Sequence, residues 1–205
     1  MRFLSKAVPQ LRVAAARSFC DLASSFEVSP KVLLKNDKNF PKQPRVVTAE
    51  DLQDPKFSEL IYAMRTTIKD LLEYPAISAP QLGVPLQVVM WRRRAGNNPD
   101  APYGGLYRCL FNPEISFIPF AAQDERYEQN LSVPGYAFKI SRPTEVLVNA
   151  MDSNGRFNHF PLIGEEARLC QQFYDLFNGV WIDESPLQIN HTEKPRSAYA
   201  QKLTA

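Results

Sequence analysis

Residues 165–179 constrain the fold more than any other stretch. Leu169, Phe173, Leu176 and Phe177 recur at three- and four-residue spacing, and Cys170 and Tyr174 form a further pair four apart. An α-helix turns once in 3.6 residues, so this spacing stacks the apolar side chains along one face. Glu165 and Glu166 suit the positive first turn of such a helix, and Gly179 suits its end. The segment predicts one buried helix on which the other elements pack. Gln172 and Leu176 stand at i and i+4 on it, the spacing at which a hydrolase helix presents two histidines to one metal ion. Neither residue is a good metal ligand.

A chain of 205 residues with 44% hydrophobic and 11% aromatic content can bury one good core, which predicts one domain with extensions. No apolar run approaches the roughly 20 residues of a membrane-spanning helix. Cys20, Cys109 and Cys170 are odd in number and widely spaced, which fits free thiols in a reducing compartment. The first 20 residues carry Arg2, Lys6, Arg12 and Arg17 and no acidic residue. That composition reads as a mitochondrial presequence, with a plastid transit peptide or a basic surface helix as alternatives. The whole chain has 24 Lys and Arg against 22 Asp and Glu, and without those four N-terminal cations 20 face 22. Global charge therefore gives no argument for a nucleic-acid partner.

Residues 28–44 are rich in Pro and Lys and are expected to lie across the surface. A helix is expected next: Asp54 can cap it, Pro55 suits its first position, and Phe57, Leu60, Ile61, Met64, Ile68, Leu71 and Leu72 form one stripe. Residues 87–91, 109–117 and 120–128 read as strands. Residues 144–150 and 156–160 flank an Asn154-Gly155 turn and predict a hairpin. Between the first two strands, Arg92, Arg93 and Arg94 open what reads as a flexible basic loop to Gly105, a candidate contact for RNA phosphates or an acidic partner. The C-terminal tail adds Lys194 and Arg196. His159 and His191, the only histidines, are expected to be ordinary strand or surface residues.

Three stretches occur in an informative order: Ile77-Ser78-Ala79-Pro80-Gln81-Leu82-Gly83, Glu128-Gln129-Asn130-Leu131-Ser132-Val133-Pro134-Gly135, and the helix containing Gln172-Phe173-Tyr174-Asp175-Leu176. Together they resemble the peptide deformylase family. Its motifs are a segment ending Ala-Ala-Pro-Gln-x-Gly, a Glu-Gly-Cys-x-Ser segment and a His-Glu-x-Asp-His helix, and its metal is held by the Cys and both His. The resemblance covers residues 32–189 and implies an α+β domain with mixed or antiparallel strands around the central helix. It places Asn130 at the Cys position, Gln172 and Leu176 at the two His positions, and Phe173 where the general acid and base would be. Gln81 and Leu131 fall where the family stabilises the oxyanion. Tyr74 and Ala76 replace family glycines and are expected to narrow the substrate cleft.

Without thiolate and imidazole no catalytic metal is expected, and metal-bound water has a pKa of about 7 where bulk water has about 15.7. No cofactor is expected either. The reading that follows is a non-catalytic chain of the mitochondrial matrix, not an enzyme, serving as a structural or assembly component of the mitochondrial ribosome. Its expected partners are ribosomal proteins and ribosomal RNA. The alternatives are a binding module for formyl-methionyl or other nascent peptides, and an enzyme with altered chemistry. The expected organisation is an extension over residues 1–20, a domain over 28–189 and a polar tail over 190–205.

Overall fold

The computed structural model describes residues 31–69, 71, 74–94, 103–185 and 187–193. Among the described residues three α-helices, α1 (Ala49–Gln53), α2 (Pro55–Lys69) and α3 (Glu165–Phe177), accompany eight strands. The strands are β1 (Ala76–Ser78), β2 (Val88–Arg94), β3 (Tyr103–Phe117), β4 (Gln123–Asn130), β5 (Val133–Pro143), β6 (Glu145–Met151), β7 (Phe157–Ile163) and β8 (Gln188–Glu193). A 3-10 turn over Ala79–Leu82 follows β1 directly. One sheet has the order β1-β2-β3-β6-β7 and the other β4-β5-β8, with every named pair antiparallel. The fold is α+β, as expected.

The larger sheet is covered on both faces. Val88, Val89, Met90 and Trp91 of β2 are all buried, which is why the strand is a continuous apolar run with no alternation. Val88 and Met90 face α2, where Phe57, Leu60, Met64 and Ile68 form the buried stripe. Val89 and Trp91 face the opposite way, with Val146, Val148, Ala150 and Leu162, and there they meet α3 through Cys170, Phe173, Leu176 and Phe177. Both helices thus use the stripes that their spacing predicts, except that α2 ends at Lys69, so Leu71 lies beyond it. Removing this apolar surface from water is the main favourable term, at roughly 25 cal/mol per Å².

Several details were not foreseen. Residues 31–34 do not lie across the surface: Val32 is 3% exposed and Leu33 donates its N–H to the Gln81 carbonyl at 2.8 Å. Helix α1 is closed by a capping box in which the Asp51 carboxylate accepts from the Thr48 N–H at 2.8 Å. The Arg45 guanidinium beside Asp51 holds its carboxyl well below the usual range. Strand β5 carries Phe138, Ile140 and Arg142 inward, so an arginine occupies a core position. The smaller sheet also extends past the expected domain limit, because β8 pairs with β5 through Glu193. Phe120 belongs to no strand; it sits at φ 63° and is fully exposed. Residues 1–20, Leu72 and the tail from Lys194 lie outside the described residues.

Arg92, Arg93 and Arg94 belong to β2, contrary to the expected loop, and each is engaged by the chain itself. Arg92 is buried and donates to the carbonyls of Lys69, the last residue of α2, and of Leu71 just beyond it. Arg93 pairs with Glu166 at 2.7 Å and Arg94 with Glu165 at 2.6 Å. These contacts place two cations against the acidic first turn of α3. The sequence hid them because the partners lie more than 70 residues away.

Asn112 joins the N-terminal segment to β3 at a bulge. At φ 51° it occupies the left-handed region that Asn tolerates best after Gly. Its Oδ1 accepts from the Val47 N–H at 2.7 Å and its Nδ2 donates to the Val47 carbonyl at 2.9 Å, so one side chain imitates a strand neighbour. Asn112→Ala leaves both Val47 groups without these partners and is expected to cost about 1–3 kcal/mol in urea unfolding. A loss under about 0.5 kcal/mol would show that the pair is replaced by solvent. Burial pushes the Cys170 thiol up to about 12. Cys170 is therefore expected to resist alkylation in the native chain at about pH 8 and to react on unfolding, since the thiolate is the nucleophile. Peptide mapping that finds it labelled at the rate of a free thiol would contradict the packing of α3.

Candidate active site

The three motif stretches converge. Ser78 ends β1, the 3-10 turn swings Gln81 inward, and the turn after β4 brings Asn130, Leu131 and Ser132 beside it. Gln81 is fully buried. Its Oε1 accepts from the Ser78 N–H at 2.9 Å and the Ser78 hydroxyl at 3.3 Å. Its Nε2 donates to Asn130 Oδ1 at 2.9 Å and Ser132 Oγ at 3.1 Å. Asn130 Oδ1 accepts a second bond from the Ser132 N–H at 2.9 Å, and the Ser132 hydroxyl donates to the Leu33 carbonyl at 2.7 Å. A primary amide has two donor hydrogens and two acceptor lone pairs, so Gln81 is fully engaged in structure. Leu131 is buried in the apolar core under α2.

The second cluster hangs from α3. Glu128, at the end of β4, is held by Arg142 Nε at 2.7 Å, Arg142 Nη2 at 3.1 Å and Arg168 Nη1 at 2.6 Å. Arg142 reaches Asp175 with its Nη1 at 2.8 Å. Burial raises the Asp175 carboxyl above the usual range, and Arg142 opposes that rise. Gln172 donates its Nε2 to Glu128 Oε2 and to the Gln129 carbonyl, each at 3.2 Å. Phe173 and Leu176, by contrast, are buried among apolar groups, as expected. Leu176 also borders a hollow of about 170 Å³ with Phe40 and Trp181, on whose rim Lys35 pairs with Asp183 and Glu184.

The structure thus brings Gln81 and Asn130 into contact, sets Gln172 beside Gln129, and turns Phe173 and Leu176 into core. Glu128, Arg142 and Arg168 were missed as site residues. Glu128 stood in a motif segment, but nothing in the sequence distinguishes buried arginines from solvated ones. A cleft of about 340 Å³ opens between β4 and α3 onto this cluster, with Tyr127, Glu128, Gln129, Arg168, Leu169 and Gln172 among its walls.

Metal ligation requires a free lone pair at each position. Leu176 has none, Asn130 Oδ1 already accepts two hydrogen bonds, and Gln172, whose N–H donors are held by Glu128 and Gln129, offers only a neutral amide oxygen, a weak substitute for imidazole. Among the described residues no three His, Cys, Asp or Glu side chains converge to hold a metal ion. Cys170 does not substitute, since it is buried in the core on another face of α3. The donors at these positions do not fit the metal that the family resemblance implies.

The polypeptide deformylase family model matches residues 30–190. A peptide deformylase of Parasynechococcus marenigrum is 30% identical over 193 residues, covering 84% of this chain and 91% of that one. One from Prochlorococcus marinus is 30% identical over 178 residues, covering 80% and 84%. Among solved structures, the Met-Ala-Ser-bound class I type b peptide deformylase of Acinetobacter baumannii matches with a TM-score of 0.67 at 25% identity. It covers 78% of this chain and 99% of that one. These likenesses overturn the expectation of a non-catalytic ribosomal component that is not an enzyme. The relatives carry the name of an enzyme, and they match across most of the chain. Substitutions at three positions tell what those positions cannot ligate, and the inference from them to a ribosomal role went beyond their chemistry. With its motifs in order, its fold matched and its sequence aligned from residue 30 to residue 190, the chain belongs to the polypeptide deformylase family.

Proposed function

We propose that the chain acts on the formylated N-terminus of a peptide, as a peptide deformylase, with the peptide lying in the cleft between β4 and α3. The observation that carries this reading is the extent of the likeness: relatives named peptide deformylase align over as much as 84% of the chain. The Acinetobacter baumannii structure, which this chain covers almost end to end, holds the tripeptide Met-Ala-Ser.

The cleft supports the same reading. Its volume of about 340 Å³ lies within the roughly 300–1,000 Å³ range of small-ligand sites. Both β1 and β4 are edge strands, and Pro75, at the entrance to β1, and residues 126–129 of β4 border the opening. An extended peptide can add to such an edge through main-chain hydrogen bonds, with side chains directed alternately into the cleft and out of it. Leu169 and Ala137 supply apolar wall, while Arg126 and Glu165 bring charge to it.

The full chain incubated with formyl-Met-Ala-Ser is expected to release formate in a saturable manner, followed by a formate dehydrogenase couple. Absence of formate under conditions in which a bacterial deformylase is active would overturn the proposal. Tyr127 stands half-exposed on the β4 wall of the cleft. Tyr127→Ala is expected to raise KM about tenfold, equivalent to about 1.4 kcal/mol of lost binding, with kcat and thermal unfolding little changed. An unaltered KM would move the peptide out of this cleft.

A further inference from the structure

The motif positions of this chain are internally satisfied, and that separates it from a metal-centred site. Asn130 Oδ1 accepts from Gln81 and from the Ser132 N–H, Gln172 donates to Glu128 and the Gln129 carbonyl, and Leu176 packs in the apolar cluster under the larger sheet. An incoming divalent cation would have to break the bonds on Asn130 and rotate the Gln172 amide against a carboxylate that prefers its N–H end. It would gain only two neutral amide oxygens, which are poor partners for the borderline-soft ions that Cys and His suit. The carboxylate bonded to Gln172, Glu128, is already held by both Arg142 and Arg168, so its charge is compensated before any ion arrives.

From this donor geometry we infer that the chain takes up no divalent transition metal between Asn130, Gln172 and Leu176. The side-chain bonds of Gln81 to Asn130 and of Gln172 to Glu128 instead supply the ties there. The first bond joins the 3-10 turn to the last residue of β4, and the second joins α3 to Glu128 two residues earlier on the same strand. Coordination by a single ion would have linked positions 130 and 172 to each other, whereas here each is tied to a different neighbour, Asn130 to Gln81 and Gln172 to Glu128 and the Gln129 carbonyl. The inference does not rest on the proposed reaction, because metal content and formate release are read independently.

The test uses the full chain, purified, exposed to excess Zn²⁺ or Co²⁺ and then desalted. Metal per chain is measured by elemental analysis, alongside the thermal unfolding midpoint with and without excess Zn²⁺. An ion bound only by the native state raises that midpoint by mass action. The expected result is far less than one metal per chain, no visible Co²⁺ absorption and no saturable rise in the midpoint. Metal retained equally in the wild type, Asn130→Ala and Gln172→Leu would lie elsewhere and would uphold the inference. Near-stoichiometric metal that is lost in either variant would overturn it. So would a saturable rise in the wild-type midpoint accompanied by the visible spectrum of ligated Co²⁺ and abolished by Asn130→Ala. The two substitutions sit on different elements, so one remains informative if the other fails to fold.

Discussion

Glu128 is 5% exposed, and two guanidinium groups make that burial tolerable. An isolated carboxylate in such a place would suffer a desolvation penalty of several kcal/mol, which only close charges and directed hydrogen bonds can offset. Arg142 grips it from β5 with two nitrogens, and Arg168 reaches it from α3. Because Arg142 also binds Asp175 on α3, the carboxylates and guanidiniums connect the smaller sheet to the helix that packs on the larger one. Gln172 fills the remaining coordination of Glu128. The orientation of the β4 end, and with it one wall of the cleft, depends on this cluster.

Apolar packing alone would not set that orientation. The smaller sheet contributes only Phe138, Ile140 and a few neighbours to a core of its own with Ile182, whereas α2 and α3 each rest on an extensive buried face of the larger sheet. Directional bonds give a specific register where nondirectional contact is sparse. The arginines of β2 act in the same manner at the other end of α3, where Glu165 and Glu166 receive Arg94 and Arg93. One helix is thereby positioned by cations at its start, by apolar side chains along one face, and by buried charges near its second half.

Much of this was legible in the sequence. The spacing of Leu169, Phe173, Leu176 and Phe177 gave away α3, and Asn154-Gly155 marked the β6–β7 hairpin, because both depend on local geometry. Strand β5 was hidden: Arg142 takes an inward position that alternation would assign to an apolar residue, and its partners are set only by the tertiary fold. Val32 was obscured by the Pro- and Lys-rich residues around it. At the site, the missing ligands could be read directly from Asn130, Gln172 and Leu176, but not the exhaustion of the Gln81 amide or the charge compensation of Glu128. Three changed side chains do not set the function of a chain whose likeness to the family extends over residues 30–190.

Glu128 and Arg142 stabilise the fold as a coupled buried pair. A double-mutant cycle measures that coupling most directly, with Glu128→Gln, Arg142→Met and the double variant unfolded in urea under identical conditions. Each single change leaves a buried charge with fewer partners, so the account predicts large single losses, a smaller loss in the double variant than their sum, and a coupling of at least about 2 kcal/mol. Additive losses, with a coupling below about 0.5 kcal/mol, would contradict it.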